Sequence, residues 1–182
     1  MKALDRYLQR CRIDKTRPYI KKGVRVLDIG CDDGALFRDL PAIGEGVGMD
    51  PDLKASTTNG NVSLIKGYFP KDLPDSRPFD LIILLAVLEH IPQAQQETLA
   101  QDSTRFLVPG GHVLITVPSP WVDPILSVLM FLRIMDGTRV DQHYGFEAST
   151  TPAIFSRAGL ELAASKKFQF GLNNFFAFRK PG

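Results

Sequence analysis

The chain has 182 residues and a mass of 20.2 kDa, the size of one domain with an ordinary core. Hydrophobic residues at 44% and charged residues at 23% exclude extensive disorder and place it among globular chains. A formal net charge of +2, with Lys and Arg scattered along the chain, gives nucleic acid no basic footprint, and the longest apolar runs, 81–88 and 125–132, are far shorter than the roughly 20 residues of a membrane span.

Leu4, Leu8 and Cys11 recur at i, i+4 and i+7, so the first dozen residues read as an amphipathic helix within an N-terminal prefix over 1–22. The cations of that prefix, Arg6, Arg10, Arg12 and Lys15 among them, read as a solvated face, with contact to phosphate or anionic lipid as the alternative. Residues 24–29 are β-branched and apolar, a buried strand ended by the turn at 30–34, and 35–40 continue as a short helix. Further strands are predicted at 46–49, 62–65 and 79–85, all three buried on both faces. Strands of that kind, separated by helical or irregular crossovers, indicate a parallel sheet covered on both sides, an α/β fold.

Residues 93–107 follow as a polar-faced helix, Pro109-Gly110-Gly111 reads as a turn, and 112–117 as the next central strand. Asp123 and Pro124 open a helix that Gly137 closes. That helix, 124–136, is apolar nearly all round and needs cover: burial under a lid, an apolar acceptor pocket, a membrane surface or a dimer interface all suit it. Residues 150–158 form a last helix, and 160–170 with 174–178 an antiparallel hairpin. No repeat or linker divides the chain, so 1–182 is expected to be one domain. Cys11 and Cys31 have no metal-type spacing and no signal segment precedes them, which points to a reducing cytoplasm and to no metal.

The chemistry concentrates at Val26-Leu27-Asp28-Ile29-Gly30-Cys31-Asp32-Asp33-Gly34, a strand running into a glycine-bearing turn and then a helix. Gly30 lets a ligand approach the backbone, Gly34 can take positive φ at the helix entrance, and Asp28 stands at the carboxyl end of its strand, where open α/β sheets bind ligands. Asp50 follows about twenty residues later, at the end of the next strand, where a ribose diol is held in nucleotide-type sites. A dinucleotide would want a third glycine, and Asp32 and Asp33 would repel its pyrophosphate. A ligand carrying a sulfonium and an ammonium would be attracted, so a nicotinamide-dependent oxidoreductase is disfavoured.

These residues resemble the first motif of class I S-adenosylmethionine-dependent methyltransferases, and further matches follow in order. Gly48-Met49-Asp50-Pro51 resembles the acidic end of the second strand; Pro78-Phe79-Asp80-Leu81-Ile82, continuing to Val87-Leu88-Glu89-His90-Ile91, resembles the fourth-strand motif of small-molecule members. Leu107-Val108-Pro109-Gly110-Gly111-His112 is similar to the turn before the fifth strand, and 143–146 with Ala158-Gly159-Leu160 to the late segment leading into the sixth. The chain departs from the family at Asp32, where most members carry glycine, and at Gly67-Tyr68-Phe69, where an acid often approaches the adenine amino group.

The resemblance implies a Rossmann-like, doubly wound, seven-stranded sheet, mostly parallel with a C-terminal antiparallel strand. It implies S-adenosylmethionine as cofactor and a small-molecule acceptor, with a lipophilic one suiting the apolar helix. The implied cofactor site comprises Asp28, Gly30, Cys31, Asp32, Gly34, Asp50, Pro51, Gly67, Tyr68, Phe69, Leu85, Ala86 and His90. His90 and His143 are the candidate bases, and 120–150 the segment over the acceptor. A non-catalytic protein that keeps the fold and works as a sensor or partner subunit is the competing reading.

Overall fold

The computed structural model describes residues 3–40, 43–119 and 147–182. The predicted apolar helix 124–136, most of the expected acceptor segment and His143 therefore lie outside the described residues. Helix α1 (Ala3–Thr16) runs into a 3-10 turn (Arg17–Tyr19); then come β1 (Arg25–Ile29), α2 (Ala35–Asp39), β2 (Glu45–Asp50), β3 (Thr57–Asn59), β4 (Val62–Lys66) and β5 (Phe79–Leu85). A 3-10 turn (Leu88–His90), α3 (Gln93–Arg105) and β6 (Leu107–Pro118) follow, then a 3-10 turn (Ala148–Thr150), α4 (Thr151–Arg157), β7 (Glu161–Phe168) and β8 (Asn173–Arg179).

Eight strands of the described residues form one sheet in the order β3-β4-β2-β1-β5-β6-β8-β7. The five from β4 to β6 are parallel, while β8 runs antiparallel to β6 and β7 antiparallel to β8. The expected doubly wound sheet with its antiparallel end is present. It carries one strand more than the seven expected: β3, three exposed residues turned back on β4, too short and polar to show in a hydrophobic pattern.

Successive strand residues feed opposite faces. Leu27, Ile82, Val113 and Phe178 pack with Leu99 of α3 and Phe155 of α4 on one side; Val26, Leu81, Leu114 and Ala177 pack with Ile13 of α1 and Leu36 of α2 on the other. β4 departs from expectation, being half-buried over 62–65 rather than sealed on both faces, because it lies next to the sheet edge with only the short, exposed β3 outside it. The Pro109-Gly110-Gly111 turn is also different: those residues lie inside β6, as an irregularity in its pairing with β5 where Phe79 meets Leu107 and Leu81 meets His112. Gly110 takes φ +77 there, and the strand stays anchored because Gly110 N–H donates to Lys180 C=O and Lys180 N–H donates to Gly111 C=O.

At the amino ends of the strands, Arg25 lies over the Phe79 ring at 4.0 Å and bonds Glu45 (3.0 Å) and Asp75 (3.0 Å). The opposite end of the sheet is left for ligands. The chain leaves β1 outward to β2 and β4, then returns to the other side of β1 as β5, so the reversal point of the winding lies between the carboxyl ends of β1 and β5.

Candidate active site

Both acids expected from the sequence stand at this point. Asp28, at the carboxyl end of β1, is 3% exposed and Asp50, the last residue of β2, 6%. Burial, and then the neighbouring Asp50, push the Asp28 carboxyl well above its ordinary range, because taking a carboxylate from water beside another negative charge favours the neutral acid. Asp50 is fixed by backbone amides: its Oδ2 accepts the Asp32 N–H at 2.9 Å and its Oδ1 the Asp52 N–H at 2.9 Å. The turn after β1 and the end of β2 are thereby tied together, with Asp50 oxygens retaining lone pairs for a ligand.

The turn itself is left-handed where the glycines predict. Gly30 has φ +74, and a Cβ there would overlap Val87 Cγ2; Gly34 has φ +74 as it enters α2. The open side of Gly30 is thus occupied by the side chain that follows β5, which locks the two strand ends against one another, while the Gly30 N–H is spent on Met49 C=O at 2.8 Å. Asp32 takes φ +47 without glycine's freedom, a conformation Asp tolerates better than most residues. Asp33 accepts the Ala35 N–H at 3.1 Å and pairs with Arg38 at 2.7 Å, so one of the turn's two acids is matched by a cation.

Cys31 is buried, and burial raises its thiol far above the ordinary range. It occupies the space that a Cβ on Gly48 would need, which makes its side chain part of the packing beneath the turn. Pro51 is half-buried beside Asp50. Beyond β4, Gly67 is held against Asp72, whose Oδ2 accepts the Tyr68 N–H at 2.9 Å. Tyr68 is 66% exposed, whereas Phe69 packs edge-on to Phe106 with ring centroids 5.5 Å apart. Of this aromatic pair, Tyr68 faces out and Phe69 is half-buried against the core.

Leu85 ends β5 and Ala86 follows in a left-handed conformation, φ +58, its N–H bonded to Thr116 C=O at 2.9 Å and Thr116 Oγ1 at 3.1 Å. A left-handed residue that is not glycine is uncommon and marks imposed geometry. His90 closes the 3-10 turn that comes next, its N–H donating to Val87 C=O at 3.0 Å. Gln96, buried on α3, brackets this turn by donating to Leu88 C=O (3.2 Å) and Ile91 C=O (2.8 Å).

Two residues at this end of the sheet were passed over in the sequence. Glu89 is 3% exposed and its carboxyl is pushed up to about 7 by burial, against the opposing pull of Arg12. Arg12 was read as solvated, yet its Nε is buried and burial lowers its basicity. The signal for Glu89 was its place in the fourth-strand motif; for Arg12 there was none, since one buried cation in a basic helix looks like its neighbours.

A methyltransferase-domain family profile matches residues 2–171, and the chain belongs to that family. It is similar to the ubiquinone biosynthesis O-methyltransferase of Bordetella avium, 25% identical over 165 residues, which cover 82% of this chain and 67% of that protein. The protein of the same name from Maricaulis maris is 29% identical over 108 residues, 54% of this chain and 41% of the relative's length, so the chain spans less than half of that relative. The N-methyltransferase NodS from Bradyrhizobium japonicum shares the fold with a TM-score of 0.68 at 16% identity, over 98% of this chain and 99% of that one. Its complex with S-adenosylhomocysteine superposes at 0.64 and 18% identity, over 98% and 87%. S-adenosylmethionine is the cofactor of this family and fold, and the buried pair of acids suits its positive charges.

Proposed function

We propose that this chain transfers a methyl group from S-adenosylmethionine to an oxygen of a small molecule. The observation that carries the reading is the pair of buried carboxyls, Asp28 and Asp50, at the reversal point of the winding, with Asp50 held by the amides of Asp32 and Asp52. When bound, S-adenosylmethionine supplies a methyl carbon made electrophilic by its sulfonium. Asp28 faces the ammonium, Asp50 and Pro51 the ribose, and the backbone from Gly30 through Cys31 and Asp32 to Gly34 forms the floor. Gly67 and the exposed ring of Tyr68 flank the adenine, with Phe69 supporting them from the core, and Leu85, Ala86 and His90 line the methionine side.

Because methyl transfer is one displacement, the protein's work is alignment of donor and acceptor at near-attack distance. The similarity to O-methyltransferases of Bordetella avium and Maricaulis maris supports an oxygen acceptor, and the apolar sequence at 124–136 supports a lipophilic one. His90 and His143 serve as bases in this reading. No helix of the described residues is long and apolar enough to cross a membrane, and both cysteines are free thiols; action in the cytoplasm, with peripheral membrane contact and no nucleic-acid partner, suits both.

Calorimetry tests the reading. The chain is expected to bind S-adenosylmethionine in preference to NAD, and Asp50→Asn to weaken that binding by about 1–3 kcal/mol, the cost of losing a charged hydrogen-bond acceptor. Unchanged affinity in the variant, or preference for NAD, overturns it. Tight cofactor binding without methylation across a panel of phenols and alcohols would point to a sensor or partner subunit.

A further inference from the structure

The tip of the hairpin between β7 and β8 is strained and yet firmly held. Gln169, Phe170 and Gly171 follow one another in the left-handed region, at φ +52, +58 and +85, where a bulky side chain stands only at a cost in free energy. Hydrogen bonds fix the turn all the same. Gly171 N–H donates to Phe168 C=O at 3.1 Å, Leu172 N–H to Gln169 C=O at 3.1 Å, and the Ser119 hydroxyl to Gly171 C=O at 2.7 Å. Gln169 Nε2 donates to Leu8 C=O at 3.4 Å, tying the tip to α1. What this framework presents is the Phe170 ring, fully exposed. A glycine would relieve the turn and a polar side chain would suit water; Phe170 does neither.

Cations surround the ring. Lys166 and Lys167 lie exposed just before the tip, and Lys15 of α1 stands over the Phe168 ring at 5.2 Å. The chain carries no acid after Glu161, which sits at the far end of β7 opposite Arg179. α1 adds the exposed Arg6 and Arg10, and the exposed ring of Tyr7 beside Leu8, against Asp5 and an Asp14 that is paired with Arg17 at 2.7 Å. A soluble anion would engage these cations and leave Phe170 in water. An anionic bilayer takes both, its headgroups meeting the cations and its acyl boundary the ring. We infer that the β7–β8 tip, with Phe170 as its wedge and Lys15, Lys166 and Lys167 about it, docks on the surface of an anionic lipid bilayer.

The tip's place in the sheet gives the contact a use. β8 runs antiparallel to β6, with Pro118 opposite Asn173, so the tip stands at the same end of the sheet as Asp28 and Asp50. In the strand order it is three to four spacings from β1, about 14–19 Å at the usual distance between strands, which sets Phe170 apart from the cofactor site. Docking by this end turns the strand ends toward the bilayer, and a lipophilic acceptor passes from one to the other without crossing water. That use rests on the methyltransferase reading above; the docking itself does not.

The test sediments the full chain with vesicles of phosphatidylcholine containing about a third phosphatidylserine, and with vesicles of phosphatidylcholine alone. The protein should pellet with the first, come off as salt is raised, and bind the second about tenfold more weakly. Phe170→Ala should weaken binding to the anionic vesicles about tenfold, the partition of one phenyl ring. Lys166→Gln combined with Lys167→Gln should do likewise and flatten the salt dependence, and S-adenosylhomocysteine affinity should stay within about twofold throughout. Phe170→Gly should lose the vesicles as Phe170→Ala does, yet melt no lower than the unsubstituted protein, because glycine accepts φ +58 freely. A marked fall in melting temperature makes the ring structural and overturns the inference. So does vesicle binding indifferent to these changes, which assigns the contact to another surface, and so does a dimer in sedimentation velocity that Phe170→Ala dissolves, which assigns the ring to a second copy. A chain that holds S-adenosylhomocysteine but no vesicles refutes the docking alone; one that docks without holding S-adenosylhomocysteine refutes the methyltransferase reading alone.

Discussion

Asp28 is unstable as an anion until something positive arrives. Its carboxyl is raised by burial and by Asp50, so the folded protein holds this proton more tightly than the unfolded chain does. The stability it contributes is complete below the ordinary carboxylate range and is lost as pH rises through the raised folded value. Asp28→Asn should therefore melt above the unsubstituted protein at neutral pH, and calorimetric scans should show the difference closing in acid. The same variant should bind S-adenosylmethionine more weakly, because an amide cannot balance the ammonium. Asp28, Asp50 and Gly34 were legible in the sequence because a strand end, a turn and a left-handed entrance each demand particular residue types. The burial of Glu89 and Arg12 was not, since it comes from how elements 77 positions apart in the chain pack, and neither leaves a local pattern.

Among the elements, α1 shows where periodicity succeeds and where it stops. The spacing of Leu4, Leu8 and Cys11 located the helix, but its fully buried residues are Ile13 and Thr16, one turn further on; Thr16 folds its hydroxyl onto Ile13 C=O at 2.7 Å and is buried despite being polar. The predicted prefix is thus packed into the core. Ile13→Ala should cost about 2–5 kcal/mol of unfolding free energy by urea denaturation, the range for deleting a buried aliphatic side chain; a cost below 1 kcal/mol would mean the helix merely rests on the sheet. The Pro-Gly-Gly segment of β6 misleads in the other direction. Its residues signal a turn, and Gly110 does take a left-handed φ of +77, yet the segment stays inside β6, tied to Lys180 by hydrogen bonds at Gly110 N–H and Gly111 C=O, an outcome that only tertiary contacts decide.

On the scale of the whole molecule, the site's acids are borne by β1, whose side chains reach both faces of the core, and by β2 beside it, which packs into one of them. Ligand binding at the strand ends should therefore stabilise everything at once. S-adenosylhomocysteine at about a hundred times its Kd should raise the unfolding free energy by about 2.7 kcal/mol, and heating should still give a single transition; two transitions, one insensitive to ligand, would show a sheet that melts in parts.

The strand order holds a further consequence. β8 is the last strand in the chain, yet it lies between β6 and β7 and supplies the buried Phe175, Phe176 and Phe178. During synthesis the growing sheet thus waits with two ribbon edges bare until residues 173–179 emerge from the ribosome. Such edges invite pairing with other chains, so premature termination just upstream of Asn173 should yield aggregates rather than a smaller working protein.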